Sequence, residues 1–270
     1  RKGKSFGYQV LGFGSGGAAF IGMTATGGNT IAETGIYKYH VFTSPGTFEV
    51  TDASNDPDGN AVQYLIIGGG GGMGFGFAGA GGAGGYRAAG CGPAPLQASN
   101  APTPVTSYPI VIGAGGAGGP VMPVGPYSPG TIGAVSSAIS LTGAGGGFGG
   151  SQPSGANGGA GGSGGGAGGA ACTSNPGGAG NTPPVSPPQG NAGEGGSVPE
   201  GKQGGGAGAA GATPRSGVTG VTNSITGTPL EYASGGRSGS ISPRANSGFG
   251  GNSQGVAGCS GVVILRYRIE

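Results

Sequence analysis

Charge is the scarcest property of this chain. Asp, Glu, Lys and Arg together make up 7% of its 270 residues, and the formal net charge is +2. No charged side chain falls between Arg87 and Glu194. Disordered segments are normally kept in solution by charge as well as by low hydrophobicity. A charge-free stretch of this length therefore points to packed backbone, or to a surface that meets another protein. The near-neutral balance argues against nucleic acid as a partner, which needs clustered Lys and Arg. The one basic cluster, "RKGK" at residues 1–4, reads as an exposed terminal tail rather than a phosphate site.

Catalytic side chains are equally sparse. There is one histidine, His40, and no tryptophan. A general base needs a nucleophile or carboxylate partner, and His40 lies in a β-like run beside no such motif, so it reads as a strand-surface residue. Cys91, Cys172 and Cys259 match no metal or redox spacing, and as free thiols they suit assembly in a reducing cytoplasm, with one disulfide left open. Patterns of the GxGxxG kind recur throughout so glycine-rich a chain, but no "GK[ST]" follows in phosphate-loop spacing. The loop "DASNDPDGN" holds Asp52, Asp56, Asp58 and Asn60, oxygen ligands that could hold a hard cation. It lacks the glycine and glutamate spacing of a calcium loop and reads instead as a solvated turn. An enzyme is not expected, nor any cofactor. The longest apolar run, "AVQYLII", is too short to cross a bilayer, so no membrane insertion is expected, and no signal peptide is visible.

What the chain has instead is glycine, 75 residues of it. Between the glycine tracts lie β-like runs. "GIYKYHVF" alternates, with Tyr37, Tyr39 and Val41 on one face and Lys38, His40 and Phe42 on the other. "TSPG" then predicts a tight turn and a hairpin with "TFEVT". "AVQYLII" and "GVVILRYRI" are further strands, and "TSYPIVI" and "SAISL" weaker ones; no window shows helical periodicity. The strands thus fall near 36–67, 105–112, 135–141 and 261–269. Most of them run straight into glycine.

Three states are open to such tracts. Collagen needs glycine at every third position without break; the phase holds from Gly159 to Gly168 and then fails. Disorder must be weighed against packing. Ordering a backbone residue costs about 1–2 kcal/mol, and more for glycine. An inter-chain hydrogen bond returns roughly 0.5–1.5 kcal/mol and a Cα–H···O contact about 0.5–1 kcal/mol. The two together approach balance, so the tracts should be ordered only as a bundle of extended helices packed side by side. The expected fold is all-β plus polyglycine: a small β-sandwich-like core carrying packed polyglycine type II helices, with little or no α-helix. Residues 1–34 read as an N-terminal lead and 35–270 as one glycine-rich domain.

The ordered succession "IYKYHVFTSPGTFEVT", "VQYLIIGGGGG", "GAGGAGGYR", "YPIVIGAGGAGG" and "GCSGVVILRY" resembles the glycine-rich domain of bacteriophage tail-fibre, adhesin and other virion structural proteins. The resemblance implies a virion component assembled in a host cytoplasm, a likeness in which loops at the bundle's far end meet a host receptor. The proline-rich segments "PAPLQASNAPTPV", "PVMPVGPYSPG" and "NTPPVSPPQGN" stand in comparable places, with Val124, Tyr127, Pro184, Val185 and Pro187 as contact candidates. They could equally be plain closing turns. In the lead, Phe6, Tyr8, Val10, Leu11 and Phe13 are candidates for docking on another virion protein, as an added strand. A homo-oligomer is expected. The alternatives are a capsid decoration or head-fibre protein, and a self-assembling extracellular filament or matrix subunit.

Overall fold

A computed structural model describes residues 19–121, 127–152, 157–169, 174–196, 202–211, 219–237, 244–253 and 255–270. The strands are β1 (Thr24–Thr26), β2 (Thr30–Thr34), β3 (Tyr37–Phe42), β4 (Gly46–Asp52), β5 (Ala61–Ile67), β6 (Tyr86–Ala89) and β7 (Gln97–Ala98). After them come β8 (Ala101–Pro102), β9 (Ser107–Ile110), β10 (Ser136–Ala138), β11 (Leu141–Gly143), β12 (Val221–Asn223), β13 (Leu230–Tyr232) and β14 (Val262–Arg268). Two single 3₁₀ turns are the only helical residues among those described. The protein is all-β.

The main sheet has the order β2-β3-β14-β5-β6-β7, with β8 paired to the start of β5. A smaller sheet, β1-β4-β9, packs on one face. Between them lie Phe42, Phe48, Val50, Val62, Tyr64, Ile66, Val263 and Leu265. The alternate residues of the same strands, Leu65, Ile67, Val262 and Ile264, are buried on the opposite face against Tyr86, Val221 and Tyr232. A central strand covered on both faces must be apolar at every position, which is why "YLII" and "VVIL" do not alternate. Each such side chain contributes about 1.5–3 kcal/mol on burial.

Three expectations need correction. The runs "GIYKYHVF" and "TFEVT" do not form a hairpin: β3 pairs with β2 and β14, whereas β4 pairs with β1 and β9. The chain crosses between sheets at residues 43–45, so the inner faces of β3 and β4 confront each other and the Phe42 and Phe48 rings meet edge-on at 6.5 Å. Local turn residues cannot distinguish a hairpin from such a crossing; the shared need of both rings for burial decides it. Second, "SAISL" is not one strand but the turn of the β10–β11 hairpin. Ile139 and Ser140 there have φ of 46° and 63°, and Ile139 accepts this unfavourable conformation because its side chain enters the core. Third, β1 and β2 fall within residues 1–34, and Met23 is in the core, so the sheets begin before residue 35.

The glycine tracts are ordered by hydrogen bonds to one another. Residues 68–75 prolong β5, and 79–85 return to β6. The N–H groups of Gly68, Gly71 and Gly74 donate to the carbonyls of Gly85, Gly82 and Gly79. Those of Gly69, Gly72 and Phe75 donate to Ala134, Thr131 and Ser128, and those of Gly70 and Met73 to Cys259 and Val256. The carbonyls keep the same rhythm: Gly70 and Met73 accept from Gly116 and Gly119, Gly69 and Gly72 from Gly146 and Gly149, Gly71 and Gly74 from Gly251 and Gly255. One tract is thus bonded on six sides with a period of three residues. At its glycines such a tract has no room for a side chain: a Cβ on Gly72 would lie 1.9 Å from the carbonyl oxygen of Ala117.

Candidate functional site

The fold has two unlike ends. β5 starts at Ala61 and runs through Ile67 into the bundle, so the loop before Ala61 marks the sheet end and the tip after Met73 marks the far end. Asn55, in that loop, donates to the carbonyl of Ala19, and the Arg268 guanidinium lies 4.4 Å above the Phe20 ring. The described chain therefore enters at the sheet end.

The far end is capped by aromatic side chains. The first glycine hairpin turns through Phe75, Gly76 and Phe77. The Tyr127 ring stands edge-on to Phe75 at 5.5 Å, and a Cβ on Gly76, where φ is +68°, would strike that ring at 2.2 Å. Ser151 Oγ donates to the carbonyl of Phe75 at 2.6 Å, and Gly169 N–H to that of Phe77 at 2.7 Å. Phe77 itself is 58% exposed, and Val121 beside this cluster 71%. The backbone at Phe77 (φ 40°) is left-handed, so this ring is held outward by a conformation that phenylalanine seldom adopts. The sequence carried a signal for this: two Phe in "MGFGFAG" cannot enter a glycine interior and must mark its tip.

Of the sequence-derived contact candidates, Tyr127 is at the far end, half-buried as the packing partner of the tip. Val124 lies outside the described residues, as do Phe6, Tyr8, Val10, Leu11 and Phe13. Pro184, Val185 and Pro187 are not at the far end. Their loop is pinned beside the sheet: Tyr86 N–H donates to the carbonyl of Gln189, Ala144 N–H to Gln189 Oε1 at 2.9 Å, and Gln189 Nε2 to the carbonyl of Pro183. Asn181 Oδ1 also accepts from the N–H groups of Val185 and Gln189. The segment 93–105 is likewise at the sheet, since Ala101 and Pro102 pair with the start of β5. Proline spacing reports stiffness, not which end of the bundle a loop closes.

The loop carboxylates do not converge. Asp52 Oδ2 accepts from the Thr24 and Thr51 hydroxyls, Asp56 Oδ1 caps the N–H of Asp58, and Asn60 Oδ1 accepts from Ser54 N–H. Among the described residues no group of three His, Cys, Asp or Glu side chains could hold a metal ion.

His40 is also not where the sequence reading put it. It is fully buried, not on a strand surface. Its Nδ1–H donates to the carbonyl of Gly27 at 2.6 Å, which leaves Nε2 to accept from the Tyr267 hydroxyl at 3.2 Å. Burial lowers its pKa, against the Gly27 bond that raises it, and Lys38 adds to the lowering. The unfolded chain therefore binds this proton more readily than the folded one. Folding stability should hold above the ordinary value of about 6.5 and fall as pH drops below it. Urea midpoints measured from pH 7.5 to 5.5 check this, since His40→Gln should flatten the slope; an equal slope in the variant rejects it.

Cys91 and Cys259 are free thiols. Cys91 touches the buried Arg266 guanidinium, which also donates to Gln63 Oε1 and stacks on Tyr37. Arg266 thereby ties β14 to β5 and to the loop after β6. A groove of about 870 Å³ lies between residues 92–96, 188–191, 207–208 and 219–224, and no titratable side chain lines it among the described residues.

Among curated proteins none matches the chain. A family model described as glycine-rich domain matches residues 42–268. The match runs from the last residue of β3 to the end of β14 and takes in every described glycine tract between them, so the chain belongs to the glycine-rich domain family.

Proposed function

We propose that the chain is a structural component of a bacteriophage virion, part of a fibre or other appendage that presents the far end of its glycine bundle to the host surface. The observation that carries the reading is the polarity of the fold. The chain enters beside Asn55 and Arg268 at the sheet end, and the exposed Phe77 stands at the other. In this reading the lead, with Phe6, Tyr8, Val10, Leu11 and Phe13, docks on another virion protein, and the tip around Phe75, Phe77 and Tyr127 meets the receptor. We read the extended three-residue rhythm of the tracts as that of polyglycine type II helices. Such a bundle is stiff along its whole section, so a ring held at its tip loses little entropy on contact. The protein acts by shape and contact, with no cofactor, no nucleic acid and no membrane insertion. Its free thiols suit assembly in a host cytoplasm.

Adsorption of particles carrying the chain tests the reading. Phe77→Asp should lower the adsorption rate at least about tenfold, the scale set by losing one buried aromatic anchor, while particle yield and chain content stay unchanged. Imaging of the particles should place the chain on an appendage with its sheet end inward. Unchanged adsorption together with many copies over the capsid would overturn the reading in favour of decoration.

A further inference from the structure

One outer wall of the bundle combines open backbone groups with exposed apolar side chains. Residues 113–119 and 128–135 run side by side, bonded through Thr131 N–H to the Ala117 carbonyl and Ala134 N–H to the Ala114 carbonyl. Next to them runs 256–261, whose Gly258 and Gly261 N–H groups donate to Gly116 and Gly113. Inward, Gly116 and Gly119 donate to Gly70 and Met73, and Gly130 and Gly133 to Gly149 and Gly146. Outward, the ladder stops. The N–H groups of Ala114, Gly115, Ala117, Gly118, Ile132 and Val135 make no hydrogen bond among the described residues, and neither do the carbonyls of Gly115, Gly118, Ile132 and Val135. These open groups recur every three residues, about 9 Å apart in an extended helix of this type.

The same wall carries apolar side chains. Val111, Val121, Ile132, Val135 and Val256 are five of the ten large apolar side chains left exposed among the described residues. Monomers seldom gather exposed apolar groups on one face without a partner for them. The wall bears no charge, since the whole stretch from Arg87 to Glu194 has none. A charged partner would lose solvation here and gain no counter-charge.

We propose that this wall is an interface between two copies of the chain, in which residues 113–119 and 128–135 of one copy add their extended runs to those of the other. Three properties select a second copy. The open groups have a three-residue period, which a β-strand cannot match. They include donors and acceptors together, at Gly115 and Gly118 on one run and at Ile132 and Val135 on the other, so a second copy related by a two-fold axis offers each open group a partner of the opposite kind. The wall is uncharged, so its meeting with an identical wall incurs no repulsion. This is strand addition in another register: open backbone supplies the bonds, and Ile132 and Val135 supply the apolar contact. The inference does not depend on where the protein sits on a particle.

Sedimentation velocity of the full chain over a range of concentration tests it. The wild type should form a dimer. Ile132→Lys with Val135→Lys should weaken dimerisation at least tenfold, and so should Ala114→Lys with Ala117→Lys on the neighbouring run. All four positions are exposed, and unchanged thermal melting confirms that the variants fold. Val105→Lys, exposed but on the segment beside the small sheet, should leave the dimer intact. A wild type still monomeric at about 100 µM, too weak for a specific interface, overturns the proposal. So does a dimer that persists in both double variants.

Discussion

Gly81→Ala should be among the most damaging methyl groups that can be added to this protein. Gly81 sits in the return tract, its N–H bonded to the Gly251 carbonyl at 3.0 Å and its carbonyl accepting from Gly236 at 2.8 Å. A Cβ would lie 1.9 Å from the Gly71 carbonyl oxygen, 2.6 Å from its carbon and 2.9 Å from the Gly251 nitrogen. All three are backbone atoms held by their own hydrogen bonds, so none can move aside alone. Elsewhere Gly→Ala stabilises by about 0.4–1 kcal/mol through the unfolded chain. Here overpacking reverses the sign, with an expected loss of at least about 3 kcal/mol. Gly46→Ala is the control, because its Cβ would make ordinary contact, 3.7 Å from the Phe42 ring. Urea unfolding of the two variants decides the matter: equal midpoints for Gly81→Ala and the parent would mean that the tracts are not packed as described.

Glu194→Gln should come close to that effect by another route. Lys202 Nζ lies 3.3 Å from Glu194 Oε1, and the two side chains are only 6% and 8% exposed. Glu194 Oε2 also accepts from Gln203 N–H at 3.2 Å. The Lys202 backbone is part of the bundle, accepting from Ala80 N–H and donating to Ala167, so its ammonium cannot withdraw to solvent without opening the tracts. Removing the negative charge leaves that ammonium buried and unpaired, at about 3–5 kcal/mol. Glu194→Gln combined with Lys202→Met should recover most of the loss, since two neutral groups of similar size need no counter-charge. If the single variant unfolds within about 1 kcal/mol of the parent, the pair is solvated in solution and contributes little, as surface pairs do.

Much of the framework was legible in the residues. The runs that became β3, β4, β5, β9 and β14 are β-branched or aromatic, and the strands fall there; those of β5 and β9 run on into glycine. The packing of glycine against glycine followed from setting ordering entropy against two weak bonds per residue. Sheet membership was not legible, because Ser44-Pro45-Gly46 reverses the chain equally well within a sheet or between two. The burial of His40 was not legible either, since alternation says which residues share a face and not whether that face is covered. The far-end site was half legible: Phe75 and Phe77 announce a tip, but the proline loop at residues 181–189 reads the same at either end.

The sequence by itself determined that this chain would be β-structure interrupted by glycine that packs without side chains, because both follow from local residue chemistry. Which tract touches which was decided only by the tertiary structure. Glycine carries no side chain to mark a partner, and every glycine N–H and carbonyl is chemically alike. The pairing is therefore imposed from outside the tracts, by the strands that launch them and the larger residues that stop them at their ends.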